Sequence, residues 1–438
     1  MTDIRRIAYD TLLLIEDGKF DSVVISDVMD KYSYLDRQDR NFLKRLIETV
    51  VERRLTLDYV INLYSKLPAR KMKKKIRTLL RMGTCQLLYM DGVADHAAVS
   101  ETVKLAGKTA PKELKGFVNA ILRKIADEKD SIKWPDDSDE VFYLSVMYSC
   151  PVWLSQMLLN EHGRENAETL LKLSLCARGV TARVNMSKSS VEDVVRQGFA
   201  KPSDICDIAV ILDGYDMISD IPSFSKGQIC IQDISSMLVC MAASIKNTDT
   251  VIDLCASPGG KTLHAADLAQ NGRVISFDVS KNKLSRIREN VERCGFSNVE
   301  IRQGDASELN EELIGLADVV IADVPCSGLG VIGRKPDIKY NVSEEGIASL
   351  VALQRKILKN AALYVKPGGT LMFSTCTCTK AENLGNMEFL KKECLLTPVS
   401  FFDLIPRSLA EESAASGYLQ LFGKDEKTDG FFLSRFAK

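Results

Sequence analysis

Histidine is scarce in this chain of 438 residues: His96, His162 and His264 are the three it has. With so few, and with Cys376 and Cys378 spaced two apart instead of three, the common zinc-ligand patterns are missing and no metal is expected. Long apolar runs are also lacking, none approaching the roughly 20 residues that cross a bilayer. Met1 to Asp10 carries charges where an export signal has an apolar core. A cytoplasmic protein with no membrane partner is therefore expected. Neither a glycine or proline excess nor a low-complexity tract accompanies the 45% hydrophobic and 27% charged residues, so most of the chain should fold. Its 12 cysteines are thinly spread, which suits reduced thiols better than a disulfide framework.

What is present comes in pieces. A chain of this length exceeds one ordinary hydrophobic core, so two or three domains are expected. The net charge of −1 argues against a nucleic-acid partner, but its distribution argues for one. Asp36 to Met82 holds 14 Lys or Arg against 5 Asp or Glu, about +9, which leaves about −10 for the rest. A basic helical region would steer the protein onto phosphates, although a solvated helix face has the same composition. Apolar residues recur at helical spacing in Phe42-Leu43-Leu46-Ile47-Val50, Leu79-Leu80-Met82-Leu87-Leu88 and Phe117-Val118-Ile121-Leu122, so residues 1–135 read as an all-α bundle. The polar, acidic stretch Asp127 to Asp139, with Pro135 inside it, closes that bundle.

Residues 136–226 mix a helical stretch, Pro151 to Leu173, with β-like runs at Val180 to Val184 and Ile208 to Leu212, a small α+β connector. Over residues 227–438 strands alternate with amphipathic helices, the signature of a doubly wound, Rossmann-like α/β domain with a parallel sheet. Expected strands are Thr250 to Leu254, Arg273 to Phe277, Val299 to Gln303, Val319 to Ala322 and Thr370 to Ser374. Helices fit at Lys261 to Ala269, Lys281 to Cys294 and Glu344 to Tyr364, the last ended by Pro367-Gly368-Gly369.

The first of these strands runs through Asp253-Leu254-Cys255-Ala256-Ser257-Pro258-Gly259-Gly260-Lys261-Thr262 into a helix. In open α/β sheets such a turn binds ligands, because glycines admit the backbone closely and the helix N-terminus favours an anionic group. Cys255 stands where a nucleotide P-loop needs glycine, and no Gly-x-Gly-x-x-Gly is present. A turn for a small zwitterion remains, such as the methionine end of S-adenosylmethionine. Asp278, closing the second strand, suits ribose hydroxyls, and Asp305, after the third, suits the adenine amino group. Each aspartate alone would also serve as a helix cap.

Two further strands end in Asp323-Val324-Pro325-Cys326-Ser327-Gly328 and Ser374-Thr375-Cys376-Thr377-Cys378. Carboxyl ends of adjacent strands face one crevice, so Cys326 and Cys376 should both face the cofactor. Carbon 5 of cytosine is a poor nucleophile toward a sulfonium methyl. A thiolate adding to carbon 6 makes carbon 5 enamine-like, which is covalent catalysis. Asp323 would hold the pyrimidine edge, donating to the ring nitrogen if protonated or accepting from the exocyclic amine if ionised. A second thiol would assist the closing elimination. Free cysteine is otherwise a common core residue, the reading preferred for Cys255, Cys294 and Cys378.

These motifs resemble the RsmB (Fmu/Sun) group of ribosomal RNA cytosine-5 methyltransferases, over nearly the whole chain. The resemblance rests on Ala256 to Thr262, Asp323 to Gly328, and Ser374-Thr375-Cys376 followed by Glu382-Asn383. It implies that Cys376 is the nucleophile, that Cys326 serves product release, and that S-adenosylmethionine is held by Cys255, Ala256, Ser257, Pro258, Gly259, Gly260, Lys261, Asp278, Asp305 and Asp323. Arg183-Val184-Asn185, Gln232 to Ser236 and Thr428 to Phe432 match as well. The N-terminal region resembles a NusB-type RNA-binding domain through Asp39-Arg40-Asn41-Phe42, Leu80-Arg81-Met82-Gly83, His96-Ala97-Ala98-Val99 and Phe117-Val118-Asn119, and His96 belongs to that fold. The implied partner is small-subunit ribosomal RNA, bound by a monomer. In Gly333 to Tyr340 the family more often has Arg at 333, His at 335 and Trp at 340; the loop here stays basic and aromatic, so RNA contact is expected of it. A DNA cytosine methyltransferase using the Pro-Cys cysteine, and a non-catalytic assembly factor, are the rival readings.

Overall fold

The computed structural model describes residues 3–18, 21–109, 111–176, 178–423 and 427–438. Contacts divide the chain into two compact units. One runs to Leu175 and includes Arg334–Asn341; the other holds Cys176–Gly333 and Val342–Lys438.

The first unit is built from helices α1 (Ile4–Glu16), α2 (Asp21–Lys31), α3 (Arg37–Glu52), α4 (Arg54–Tyr64), α5 (Lys74–Tyr89), α6 (Asp95–Thr109), α7 (Lys112–Glu128), α8 (Glu140–Met147) and α9 (Val152–Leu173). Their apolar positions fall three and four apart, so each buries one face. Leu43, Leu46, Ile47 and Val50 of α3 meet Ile76, Leu79 and Leu80 of α5 and Val118, Ile121, Leu122 and Ile125 of α7 in one core. Asp36 starts α3 by accepting from the Asp39 amide at 2.8 Å, an N-cap that satisfies an otherwise orphaned donor. Arg81 is buried in this unit and keeps its charge through a two-pronged pair with Asp58, at 2.7 and 2.6 Å, and a contact with Glu16. Among the described residues no single helix is long and apolar enough to cross a membrane; α8 and α9 pass that test only together, across a 120° bend.

The loop expected to touch RNA does not lie free. Lys339 is fully buried in the first unit, where its ammonium donates to the backbone oxygens of Glu52 at 2.9 Å and Tyr148 at 3.0 Å and to Ser174 Oγ at 3.3 Å. The Tyr340 hydroxyl donates to the Glu52 backbone oxygen at 2.9 Å. A buried lysine needs such acceptors, so the basic and aromatic residues at these two positions are spent on packing. That expectation is corrected: of the loop's cations, Arg334 and Lys335 alone are exposed.

The second unit opens with an antiparallel sheet in the order β2-β3-β1-β4, from β1 (Val180–Val184), β2 (Ala200–Pro202), β3 (Ala209–Leu212) and β4 (Ile229–Ile231). Arg183 is buried whole within it and reaches Asp267 at 3.1 Å, Asn185 at 2.7 Å and Gln232 at 3.2 Å. The matched residues Arg183, Asn185 and Gln232 thus fasten this sheet to the helix Gly260–Leu268.

The large sheet runs β10-β12-β9-β8-β5-β6-β7, with β11 paired to β12. Its strands are β5 (Thr250–Asp253), β6 (Arg273–Asp278), β7 (Val299–Gln303), β8 (Ala317–Asp323), β9 (Val365–Thr375), β10 (Thr397–Pro398), β11 (Tyr418–Phe422) and β12 (Gly430–Ala437). Strands β5 to β9 are parallel, and alternate residues serve opposite cores. Ile252, Ile275, Val320 and Leu371 point to one face and Val251, Val274, Val319 and Met372 to the other, which is why these strands read as continuous apolar runs.

Two features differ from the sequence reading. The sheet is mixed, because β11, β12 and β10 pair antiparallel at its edge. Pro367-Gly368-Gly369 does not stop the preceding helix, which ends at Tyr364. It lies inside β9, at a register shift against β8 between Ala317 and Val319. The order reverses between β5 and β8, and the carboxyl ends of those strands form the crevice where ligands bind in such sheets.

Candidate active site

At the end of β5 the chain turns through Leu254 to Gly259 into the helix Gly260–Leu268. Gly259 holds φ at +107° and the Ser257–Pro258 peptide is cis, a backbone that a side chain at 259 would strain. The Ala256 amide bonds to the Phe277 oxygen at 2.9 Å and the Gly259 amide to the Ala256 oxygen at 2.7 Å. The turn is thereby locked beside β6, with the helix's first amides at its mouth.

Three aspartates close successive strands. Asp278, 5% exposed, accepts from the Ser257 amide at 3.4 Å and the Ser280 amide at 3.1 Å. Asp305 accepts from the Ser307 hydroxyl at 2.7 Å and amide at 2.8 Å, which hold its carboxyl below the usual range. Asp323 accepts from Lys261 Nζ at 2.7 Å and Ser374 Oγ at 2.7 Å. Burial works against the charge of Lys261, but the carboxylate of Asp323 outweighs it and raises the ammonium's pKa. Behind them Asp253 is wholly buried, and burial pushes its pKa up to about 6.

Cys255, Ser257, Asp278, Asp305, Asp323, Cys326 and Cys376 line one cavity of about 320 Å³. Ala256, Pro258, Gly259, Gly260 and Lys261 form the turn next to it, Lys261 reaching the wall through Asp323. Val279, Lys283, Leu353 and Ile357 also line it and were not anticipated. The last two sit one helical turn apart on Glu344–Tyr364, a helix expected from the sequence without a site role; their i, i+4 spacing was the available signal.

Cys326 follows β8, Cys376 follows β9, and their sulfurs lie 3.1 Å apart. The Cys326 thiol is pushed well above its ordinary value, first by the neighbouring Cys376 sulfur, then by burial, with Glu382 and Asp323 adding to it. Either sulfur can donate across this contact. Burial and the carboxylates of Asp253 and Asp323 push Cys255 up as well. No disulfide joins the cysteines, and a second close pair, Cys230 and Cys294 at 3.4 Å, does not line this cavity.

The loops of Cys326 and Cys376 share a support, Glu382-Asn383, to which the sequence alone assigned no role. Buried Glu382 accepts from the Ser327 amide at 2.8 Å and hydroxyl at 2.6 Å, next to Cys326, and from Thr379 Oγ1 at 2.8 Å, beyond Cys376. Gln354 donates to it at 3.0 Å. Asn383 accepts from Thr375 Oγ1 at 2.6 Å and donates to the Thr377 oxygen at 3.0 Å, bracketing Cys376. Among the described residues no group of three or more His, Cys, Asp and Glu is placed to hold a metal.

Comparison with known proteins places the chain in a family. Residues 240–437 match the family described as 16S rRNA methyltransferase RsmB/F, and residues 2–127 match the NusB family. The Bacillus subtilis protein named "Probable ribosomal RNA small subunit methyltransferase B" is 33% identical over 100% of this chain and 99% of its own. A Klebsiella pneumoniae ribosomal RNA small subunit methyltransferase B is 31% identical over 97% of this chain and 95% of its own. The crystal structure of PH0851 shares the fold over 100% of this chain and 99% of that one, with a TM-score of 0.79 at 24% identity. These matches, over the full length and on both units, show that the chain belongs to the RsmB/F family of small-subunit ribosomal RNA methyltransferases, with a NusB-family region ahead of its α/β methyltransferase domain.

Proposed function

We propose that this protein methylates carbon 5 of a cytidine in 16S ribosomal RNA through a covalent bond between Cys376 and the base. The observation that carries the reading is the pair of sulfurs 3.1 Å apart at the ends of adjacent parallel strands, in the wall of the cavity beside the glycine turn. The residues present fit S-adenosylmethionine: a cavity of ligand size, a buried carboxylate at Asp278 for ribose hydroxyls, Asp305 for the adenine amine, and the turn Cys255 to Lys261 for the methionine end. When bound, that group supplies an electrophilic methyl.

The chain's own residues do the rest. Cys376 adds to carbon 6 as its thiolate, the nucleophilic form of the group, and makes carbon 5 nucleophilic. Asp323, ion-paired to Lys261, accepts from the exocyclic amine and orients the ring; each of its oxygens keeps a second acceptor site. Once Cys376 is spent in a thioether, the main influence holding the proton on Cys326 is gone. Cys326 then loses that proton, the one the overall transfer releases, and its thiolate takes the proton from carbon 5 as Cys376 is expelled. Both cysteines are thereby restored. The target base must leave its stack to reach Cys376. The cytoplasm, where ribosomal RNA is modified, and the division into parts at 135 and 226 belong to the same reading.

The test is transfer from S-adenosylmethionine labelled in its methyl group to ribosomal RNA, followed by digestion to nucleosides. Label in 5-methylcytidine is expected; label in any other nucleoside would overturn the assignment.

A further inference from the structure

The first unit holds a second cavity, of about 510 Å³, that no step above uses. Tyr59 of α4 and Phe142 of α8 line it, their rings edge-on with centroids 6.0 Å apart, and Trp134 stacks on Tyr59 at 6.2 Å and 21°. Trp134 is 39% exposed and Phe142 43%, and both pack on Tyr59, so aromatic surface reaches solvent on either side of that ring. Arg54 lines it as well, its guanidinium 3.8 Å over the Tyr340 ring and without a hydrogen bond to any described residue. The one carboxylate in the wall, Asp58, is already neutralised by Arg81.

Arg70 also lines the cavity and continues into a run of positive charge. Residues 59–90 contain eight Lys or Arg and no Asp or Glu. Lys74, Arg77 and Arg81 are paired with Asp17, Glu16 and Asp58. Lys66, Arg70, Lys71, Lys73 and Lys75 are exposed and make no ion pair with described residues.

We propose that this cavity binds single-stranded RNA, one unstacked base lying on Phe142 with Tyr59 and Arg54 at its edge, and the flanking phosphates on Arg70, Lys71 and Lys73. Aromatic faces take any base that is free of a duplex, and a cationic track holds the backbone. A duplex buries those base faces and offers phosphates alone. The proposal rests on the reading of RNA as substrate, and it adds a site in the first unit that is separate from the cysteine pair.

The experiment measures binding of the full-length chain to a fluorescein-labelled, mixed-sequence oligoribonucleotide of about 12 nucleotides, single-stranded or annealed to its complement. The single strand should bind at least about tenfold more tightly than the duplex, and Phe142→Ala should weaken it about tenfold. Arg70→Ala, at an exposed position that cannot disturb the core, should lower the slope of log affinity against log salt by about one phosphate contact. Equal affinity for the duplex, or wild-type binding by both variants, overturns the proposal. If those variants bind as wild type while methyl transfer to RNA persists, the cavity is excluded and the methyltransferase reading stands. If they lose binding in a chain that transfers no methyl to RNA, the cavity stands and the activity assignment falls.

Discussion

One carboxylate fixes the geometry of two thiols. Glu382 binds the loop of Cys326 through Ser327 and the loop of Cys376 through Thr379, and a displacement of about 1 Å at a reacting atom can cost ~100-fold in rate. Glu382→Gln keeps the size but replaces one accepting oxygen with a donor facing other donors. Its kcat should fall about 10- to 100-fold with KM for the methyl donor unchanged; a KM effect alone would place Glu382 in cofactor binding instead. Lys339 gives a prediction in pH. Burial lowers its pKa from 10.5 to about 7, whereas the unfolded chain keeps the ordinary value. Between those values the folded protein binds fewer protons than the unfolded one, so stability rises with pH across that window. Lys339→Met removes this contribution. The melting temperature of wild type relative to the variant should therefore climb from pH 7 to pH 9.5, and a constant difference would show that Lys339 does not titrate there.

The strands place these side chains through close backbone approach. Gly330, in the turn after β8, donates to the Cys376 oxygen at 3.0 Å, and a Cβ at this position would sit 2.0 Å from the Gly430 oxygen of β12. Gly330→Ala must push β12 away, and overpacking of this kind costs about 1–3 kcal/mol. Melting temperature and activity should fall together; a stable, fully active variant would mean the turn is looser than described. Much at this scale was legible in the sequence. Val299–Gln303, Lys281–Cys294 and Glu344–Tyr364 coincide with the expected spans, because each has an unbroken period and a cap or glycine at its end. β12 was not legible as a strand, since Gly430 to Phe432 stood out as a motif and carries no alternation. Glu382 was quoted without a role, because hydrogen bonds between distant loops have no period. The loop at Lys339 was misread, since its charge and aromaticity are the same whether it faces RNA or a packed core.

For the whole molecule, the charge asymmetry visible in the sequence becomes a basic surface on a helical unit, attached to an α/β unit that holds the cysteine pair. Binding of ribosomal RNA should therefore weaken steeply with salt while the binding of S-adenosylmethionine does not. Parallel salt responses would show that the phosphate contacts do not lie on that basic surface. The central claim concerns which sulfur bonds to the base, and the most direct measurement incubates Cys326→Ala and Cys376→Ala with RNA and S-adenosylmethionine and resolves covalent protein–RNA complexes under denaturing conditions. Cys326→Ala should accumulate the complex, because its adduct forms and is not released, and Cys376→Ala should form none. A complex in Cys376→Ala and none in Cys326→Ala would contradict the account.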